Sequence, residues 1–272
     1  RVTTRRWFGF LRMQVRVARR LPAIVTVSQS SRRDITAQMG VDPDRMTVVP
    51  VGVDHTVFRP QPAVAKVPGR LMVTTSSDVP MKGLVPLLEA LAKLLTERTV
   101  ELMVIGRPRP GGRVDRTIER LGLRAHVRCV SGISDAELAR AYGEAQVAVV
   151  PSLYEGFSLP AVEAMACGVP VVATTGGALP EVVGRDGETG LLVPPNDPGA
   201  LAAAIGRLLD DPQLQARLGQ AGRDRVLHRF TWQVTAKGTA ECYSALLGGR
   251  ALPVGAATPA AATGPSSPAG LS

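Results

Sequence analysis

QVAVVPSLYEGFSLPAVEAMACGVPVVATTGG, residues 146–177, reads as strand, loop, helix and strand in succession. Residues 146–151 form a short Val-rich run, the pattern of a strand buried on both faces. Residues 152–158 are a polar turn holding Gly156. Residues 159–167 read as a helix: Pro160 suits its first turn, Ser158 can cap it, and Gly168 with Pro170 stops it. Residues 169–174 are the next buried strand. Such units place their binding loops at the carboxyl ends of parallel strands.

Two carboxylates sit at this turn. Glu155 lies in the loop, and Glu163 lies on the helix about one turn in, among apolar neighbours where it needs a hydrogen-bonding partner. The helix start also offers the backbone N–H groups of Phe157, Ser158 and Leu159, beside Gly156, as an anion site. Acceptor carboxylates next to an anion site suit a ligand that carries hydroxyls and a phosphate. A nucleotide sugar has both.

EGFSLPAVE, with its two glutamates, followed by AMACGVPVVAT, resembles the retaining GT-B glycosyltransferases of family 4, over about residues 23–247. The resemblance implies an α/β fold: a Rossmann-like parallel sheet with helices on both faces, plus a remnant of an amino-terminal Rossmann-like domain. It also implies that Glu155 meets hydroxyls of the donor sugar, and that Glu163 holds the ribose of the nucleotide. Without the resemblance, Glu155 would read as a solvated loop residue and Glu163 as a charge on a helix face.

Composition narrows the class. A hydrophobic share of 45% supports a packed core in a chain of 272 residues. Cys129, Cys167 and Cys242 form no CxxC pair, which argues for a reducing, cytoplasmic setting and against a disulfide framework or a zinc site. His55, His126 and His228 show no metal-ligand spacing, and no cofactor is expected. The net charge is +9, yet the first twenty residues hold seven arginines and no acid, leaving +2 for the rest. A nucleic-acid partner is therefore not expected. The basic segment mixes its arginines with Trp7, Phe8, Phe10, Leu11, Val15 and Val17, as an amphipathic helix would. It fits a peripheral contact with the inner membrane face. Packing on a partly absent domain is the preferred reading, because such patterns alone are weak signals. The chain opens on Arg1 rather than Met, as a fragment or processed product would.

From residue 70 onward strands and helices alternate. Strands are expected at 71–76, 100–105, 126–131, 146–151, 169–174 and 190–193. Helices are expected at 83–97, 113–121, 134–145, 159–167 and 179–184, then at 197–209, 212–226 and 231–247. Alternation of this kind calls for a parallel sheet. No GxGxxG follows the first strand, which counts against a dinucleotide oxidoreductase. The expected organisation is the end of an acceptor-side domain at 1–59, with strands at 23–27 and 46–50 and a helix capped by residues 28–31. A Pro-rich linker follows at 60–69, then a nucleotide-sugar domain at 70–230 and a carboxy-terminal helix at 231–247 that crosses back. The Ala/Pro/Gly/Ser-rich tail at 248–272 is expected to be disordered.

The turn TTSSDVPMKG places Lys82 at the mouth of a helix, where it can meet charge developing on a departing phosphate. The resembled family carries an arginine five residues before this lysine. That position is Ser77 here, so half the basic clamp is absent, with Arg107 or Arg109 as candidate substitutes. By the same resemblance, Ser131, Gly132 and Ile133 line the nucleobase. Gly176 and Gly177 either admit a ligand or form a plain turn. The reaction implied is transfer of a glycosyl group from a nucleotide diphosphate sugar, with retention, to an unknown acceptor (glycan, lipid or small molecule). Lys82 and Glu155 stand as catalytic candidates, and no general base is evident. Three rivals remain: a donor-binding fragment without turnover, a nucleotide-sugar epimerase, and a glycoside hydrolase using Glu155 and Glu163 as acid and nucleophile.

Overall fold

The computed structural model describes residues 2–75, 79–250 and 252–253. Ser77, expected at the donor site, and most of the expected tail lie outside the described residues.

The chain opens with α1 (Val2–Ala18), β1 (Ile24–Thr26), α2 (Gln29–Met39) and β2 (Met46–Val48). β1 and β2 pair in parallel as a two-stranded sheet. Ser28 caps α2 through its side chain, and Gly40 ends it in the left-handed region at φ 64°, as expected from sequence. Along α1 the side chains of Trp7, Phe8, Phe10, Met13 and Val17 are exposed. No helix among the described residues is long and apolar enough to cross a membrane.

The expected Pro-rich linker is fastened to residues 144 and 145, at the carboxyl end of a later helix. Lys66 Nζ donates to Ala145 O at 2.7 Å, and Val67 N to Glu144 O at 2.9 Å.

Next come β3 (Arg70–Thr74), α3 (Leu84–Leu94), β4 (Glu101–Ile105), α4 (Arg113–Arg120), β5 (Val127–Val130) and α5 (Asp135–Glu144). The second half holds β6 (Val147–Val150), α6 (Leu159–Ala166), β7 (Val171–Thr174), α7 (Leu179–Val183) and β8 (Leu191–Val193). Three helices close the chain: α8 (Pro198–Asp210), α9 (Pro212–Arg229) and α10 (Trp232–Leu247). β3 to β8 form one six-stranded, all-parallel sheet in the order β5-β4-β3-β6-β7-β8. The expected α/β class and its elements are present, with ends shifted by a few residues.

Period-two alternation divides the core between two layers. Met72, Met103, Ala148, Val150, Val171 and Ala173 face α5, α6 and α7. Leu71, Val73, Leu102, Val104, Val147 and Val149 face α3, α4 and α8. The start of α9 joins the second layer through Leu214 and Leu218, and its end joins the first through Val226. α10 and the turn before it then lie on the amino-terminal segment: Thr235 Oγ1 donates to Pro50 O at 2.8 Å, and Val53 N donates to Phe230 O, at the end of α9, at 2.8 Å.

Candidate active site

Strand order reverses between β3 and β6, so the connections leaving their carboxyl ends run apart and open a crevice there. The connection after β3 carries Lys82, and the one after β6 carries Glu155. Lys82 ends a 3-10 turn, Pro80–Lys82, and Gly83 follows as the N-cap of α3. Across the crevice Lys82 Nζ donates to both carboxylate oxygens of Glu155, at 2.8 and 3.1 Å. Ser152 Oγ donates to Glu155 Oε1 at 2.6 Å, so the carboxylate is held from two sides. Both side chains keep limited solvent contact, 31% for Lys82 and 13% for Glu155, which leaves the cation reachable. The sequence reading gave these residues separate tasks; the fold makes them one ion pair.

Three glycines permit this closeness. A Cβ on Gly83, at φ 66°, would stand 1.8 Å from Pro151 O, at the start of the Glu155 loop. Gly177, at φ 63°, would put a Cβ 2.3 Å from Glu155 O, which accepts from Ala178 N at 2.8 Å. At Gly176 a Cβ would meet Leu153 O at 2.5 Å. The backbone that approaches Gly176 and Gly177 is thus the Glu155 loop, where the sequence left open a ligand or a plain turn. Gly83→Ala combines an unfavourable φ with a backbone clash, and is expected to destabilise the fold by about 3 kcal/mol or more. Urea unfolding with a parent-like midpoint would refute the close packing of the two loops.

Glu163 finds its partner on α5. Tyr142 Oη lies 3.2 Å from Glu163 Oε2, 3.2 Å from Pro160 O and 3.1 Å from Thr74 Oγ1. Burial pushes the Glu163 carboxyl up to about 6; the Tyr142 hydrogen bond pulls it back, and the charge of Asp135 adds to the rise. Burial, aided by the Glu163 charge, holds the Tyr142 hydroxyl well above the usual phenol range. Tyr142 therefore stays a donor. Cys167, at the end of α6, is buried, and burial pushes its thiol up to about 12.

One expectation fails at the head of α6. Ser158 does not cap the helix with its side chain. A capping serine needs extended backbone, and Ser158 sits at φ 122°, ψ 85°. Its Oγ is instead buried with no hydrogen-bond partner. The amides of Phe157, Ser158 and Leu159 donate to no acceptor among the described residues. Phe157 anchors the loop, its ring edge-on to Phe230 at 5.6 Å between centroids.

Ile133, with Ser131 and Gly132, follows β5 at the same carboxyl edge of the sheet, two strands from the crevice. Arg107 and Arg109 follow β4 and are exposed. Among the described residues no group of three or more His, Cys, Asp or Glu could hold a metal ion. Tyr142 and Ser152 were missed by sequence reasoning. Ser152 adjoins the motif and had a signal in its hydroxyl; Tyr142 had none, sitting in an ordinary helix.

A doubly wound sheet whose switch point pairs a lysine with a loop carboxylate, beside helix-start amides that have no acceptor among the described residues, offers a crevice suited to an anionic ligand. Comparison with known proteins gives the family. Residues 60–225 match the family described as Glycosyl transferases group 1, and residues 2–57 match Glycosyltransferase Family 4. The chain belongs to the group 1 glycosyl transferases.

It is 49% identical over 239 residues to the MMP alpha-(1->4)-mannosyltransferase of Mycolicibacterium hassiacum, which covers 88% of this chain and 58% of that protein. Among solved structures, the sucrose-phosphate synthase of Thermosynechococcus elongatus aligns with a TM-score of 0.77 at 30% identity, over 88% of this chain and 62% of that one. HepE of Anabaena, crystallised with UDP-glucose, aligns with a TM-score of 0.76 at 26% identity, over 86% of this chain and 67% of that one. The chain thus spans just under three fifths of the length of its mannosyltransferase relative. Family membership favours glycosyl transfer over the hydrolase and epimerase readings.

Proposed function

We propose that the crevice between β3 and β6 binds a nucleotide diphosphate sugar, and that the chain supplies the donor half of a retaining glycosyl transfer. The observation that carries this reading is the Lys82–Glu155 pair at the switch point, beside the amides of residues 157–159, which have no acceptor among the described residues. Lys82 and those amides receive the diphosphate, Glu155 orients the sugar, and Glu163 accepts from the ribose hydroxyls. In the transfer, the bond from the anomeric carbon to the phosphate oxygen breaks and one to the acceptor oxygen forms. The acceptor proton passes to the leaving phosphate, so no general base is required of the chain. UDP-glucose in HepE and the mannosyl specificity in the name of the 49% relative support a hexosyl donor. Free cysteines at 129, 167 and 242 support a cytoplasmic setting.

Calorimetric titration with UDP, GDP and ADP, without added metal, tests the site. Binding of at least one, with a clear preference among bases, is expected; binding of none would sink the donor-site reading. Donor binding without turnover is a second reading, favoured by the share of its relatives that the chain spans. A radiolabelled-donor transfer assay against hydrolysis separates the two.

A further inference from the structure

The donor loop is held from outside its own sheet. α2, beside the two-stranded sheet, points its first turn at residues 154–156. Ser28 Oγ donates to Gly156 O at 2.7 Å, and Ser31 Oγ donates to the same oxygen at 3.1 Å. A carbonyl has two lone pairs and takes both. Ser28 Oγ also accepts from Ser31 N at 2.9 Å, so one hydroxyl caps the helix and grips the loop at once. Tyr154 Oη donates to Asp34 Oδ2. The reverse contact comes from α7: Glu181 accepts from Gln29 N and Ser30 N, both at 2.7 Å, at the positive end of α2.

The chemical consequence lies in one peptide plane. Gly156 C=O and Phe157 N–H belong to the same planar trans unit and point in opposite directions. Fixing the carbonyl on α2 therefore turns the Phe157 amide away from α2. That amide has no acceptor among the described residues. Ser28 is buried and Phe157 is buried and packed edge-on against Phe230, so the unit has little freedom to rotate back. An amide fixed in advance spends no binding energy on orientation when an anion arrives.

We propose that Ser28 and Ser31 are positioning residues for the nucleotide site: by holding the Gly156 carbonyl from α2, they aim the Phe157 amide at the diphosphate of the donor. This assignment rests on the donor-site reading above. It adds that the amino-terminal unit organises the phosphate site directly.

The test compares the parent chain with Ser31→Ala, with Ser28→Ala/Ser31→Ala, and with Ser31→Thr. Dissociation constants are measured for UDP, GDP and ADP and for uridine, guanosine and adenosine, alongside thermal melts. The double variant is expected to bind the preferred diphosphate about tenfold more weakly, with its nucleoside unchanged to within about twofold. Ser31→Thr, which keeps the hydroxyl, should bind as the parent does. Should the double variant fail to fold for loss of the α2 cap, Ser31→Ala leaves that cap intact and is expected to lose about threefold on the diphosphate alone. Parent-like diphosphate binding by the folded variants would overturn the assignment. Equal losses on nucleoside and diphosphate would overturn it too, by showing a general structural role. A parent that binds no diphosphate fails earlier, and overturns the donor-site reading itself.

Discussion

Lys82→Ala is expected to weaken binding of UDP, GDP or ADP by about a hundredfold and to leave the matching nucleosides within about twofold. Two effects add. The diphosphate loses a cation, and Glu155, which Lys82 holds at 2.8 Å, is left uncompensated beside it. A nucleoside has no charge to be repelled and serves as the internal control. Glu155→Gln should move the other way for the free diphosphate. Glu155 occupies the lysine before the ligand arrives, so its neutral analogue is expected to bind diphosphate about threefold to tenfold more tightly. The intact nucleotide sugar should bind more weakly, because its hydroxyls lose a charged acceptor. Titration of both ligands against both variants checks the signs. If Lys82→Ala binds diphosphates as the parent does, the charge is met elsewhere, and Arg107 and Arg109 become the next substitutions.

Glu163→Ala should behave differently, weakening nucleoside and diphosphate alike by about tenfold to a hundredfold, the worth of a charge-assisted hydrogen bond. Its effect should also depend on pH. The carboxyl titrates at about 6 in the free protein, so affinity for the ribose falls as pH drops through that value. Glu163→Gln should bind more weakly and show a flattened profile. Stability carries the opposite sign. The folded state holds this proton more tightly than the unfolded chain, whose carboxyl titrates near 4.5. Folding stability contributed by Glu163 is therefore full below about 4.5, and is lost as pH rises through about 6. The shift corresponds to on the order of 2 kcal/mol. Glu163→Gln should accordingly gain on the parent in urea unfolding at pH 8 and match it near pH 4. A constant difference between the two proteins across that range would rule out a buried, titrating Glu163.

The parts of the fold that were legible in the sequence are those whose signal is local. VAVV and VVAT announce buried strands by composition, Gly168 and Pro170 mark a helix end, and the spacing of Glu155 and Glu163 places both at one turn. What stayed hidden depends on which elements become neighbours. Lys82 and Glu155 lie 73 residues apart and meet only because β6 pairs with β3 rather than with β5. Tyr142 reaches Glu163 from a helix whose pattern shows nothing beyond amphipathicity. Ser28 and Ser31 reach Gly156 across 128 and 125 residues. Ser158 differs for another reason: serine ahead of a proline-bearing first turn is a favoured cap, and nothing in its own identity marks a backbone at φ 122°. The close approaches at Gly83 and Gly177 likewise require knowing what stands opposite each glycine.

The two-layer core has a consequence for how such a chain can change over generations. The apolar side chains that stabilise the sheet alternate along β3 to β8 and run to the last residues of β4, β6 and β8, whereas Lys82, Arg107, Arg109 and Glu155 sit in the turns beyond. Lineages can therefore vary the exposed Arg107 and Arg109 in the turn after β4 without disturbing the interior, whereas Ile133 after β5 packs on the core. The turns after β3 and β6 are far less free, because the glycines at 83 and 177 leave no room for drift. Diversity in what is bound should accumulate at one flank of the crevice, while the charged pair at its centre is inherited with the scaffold.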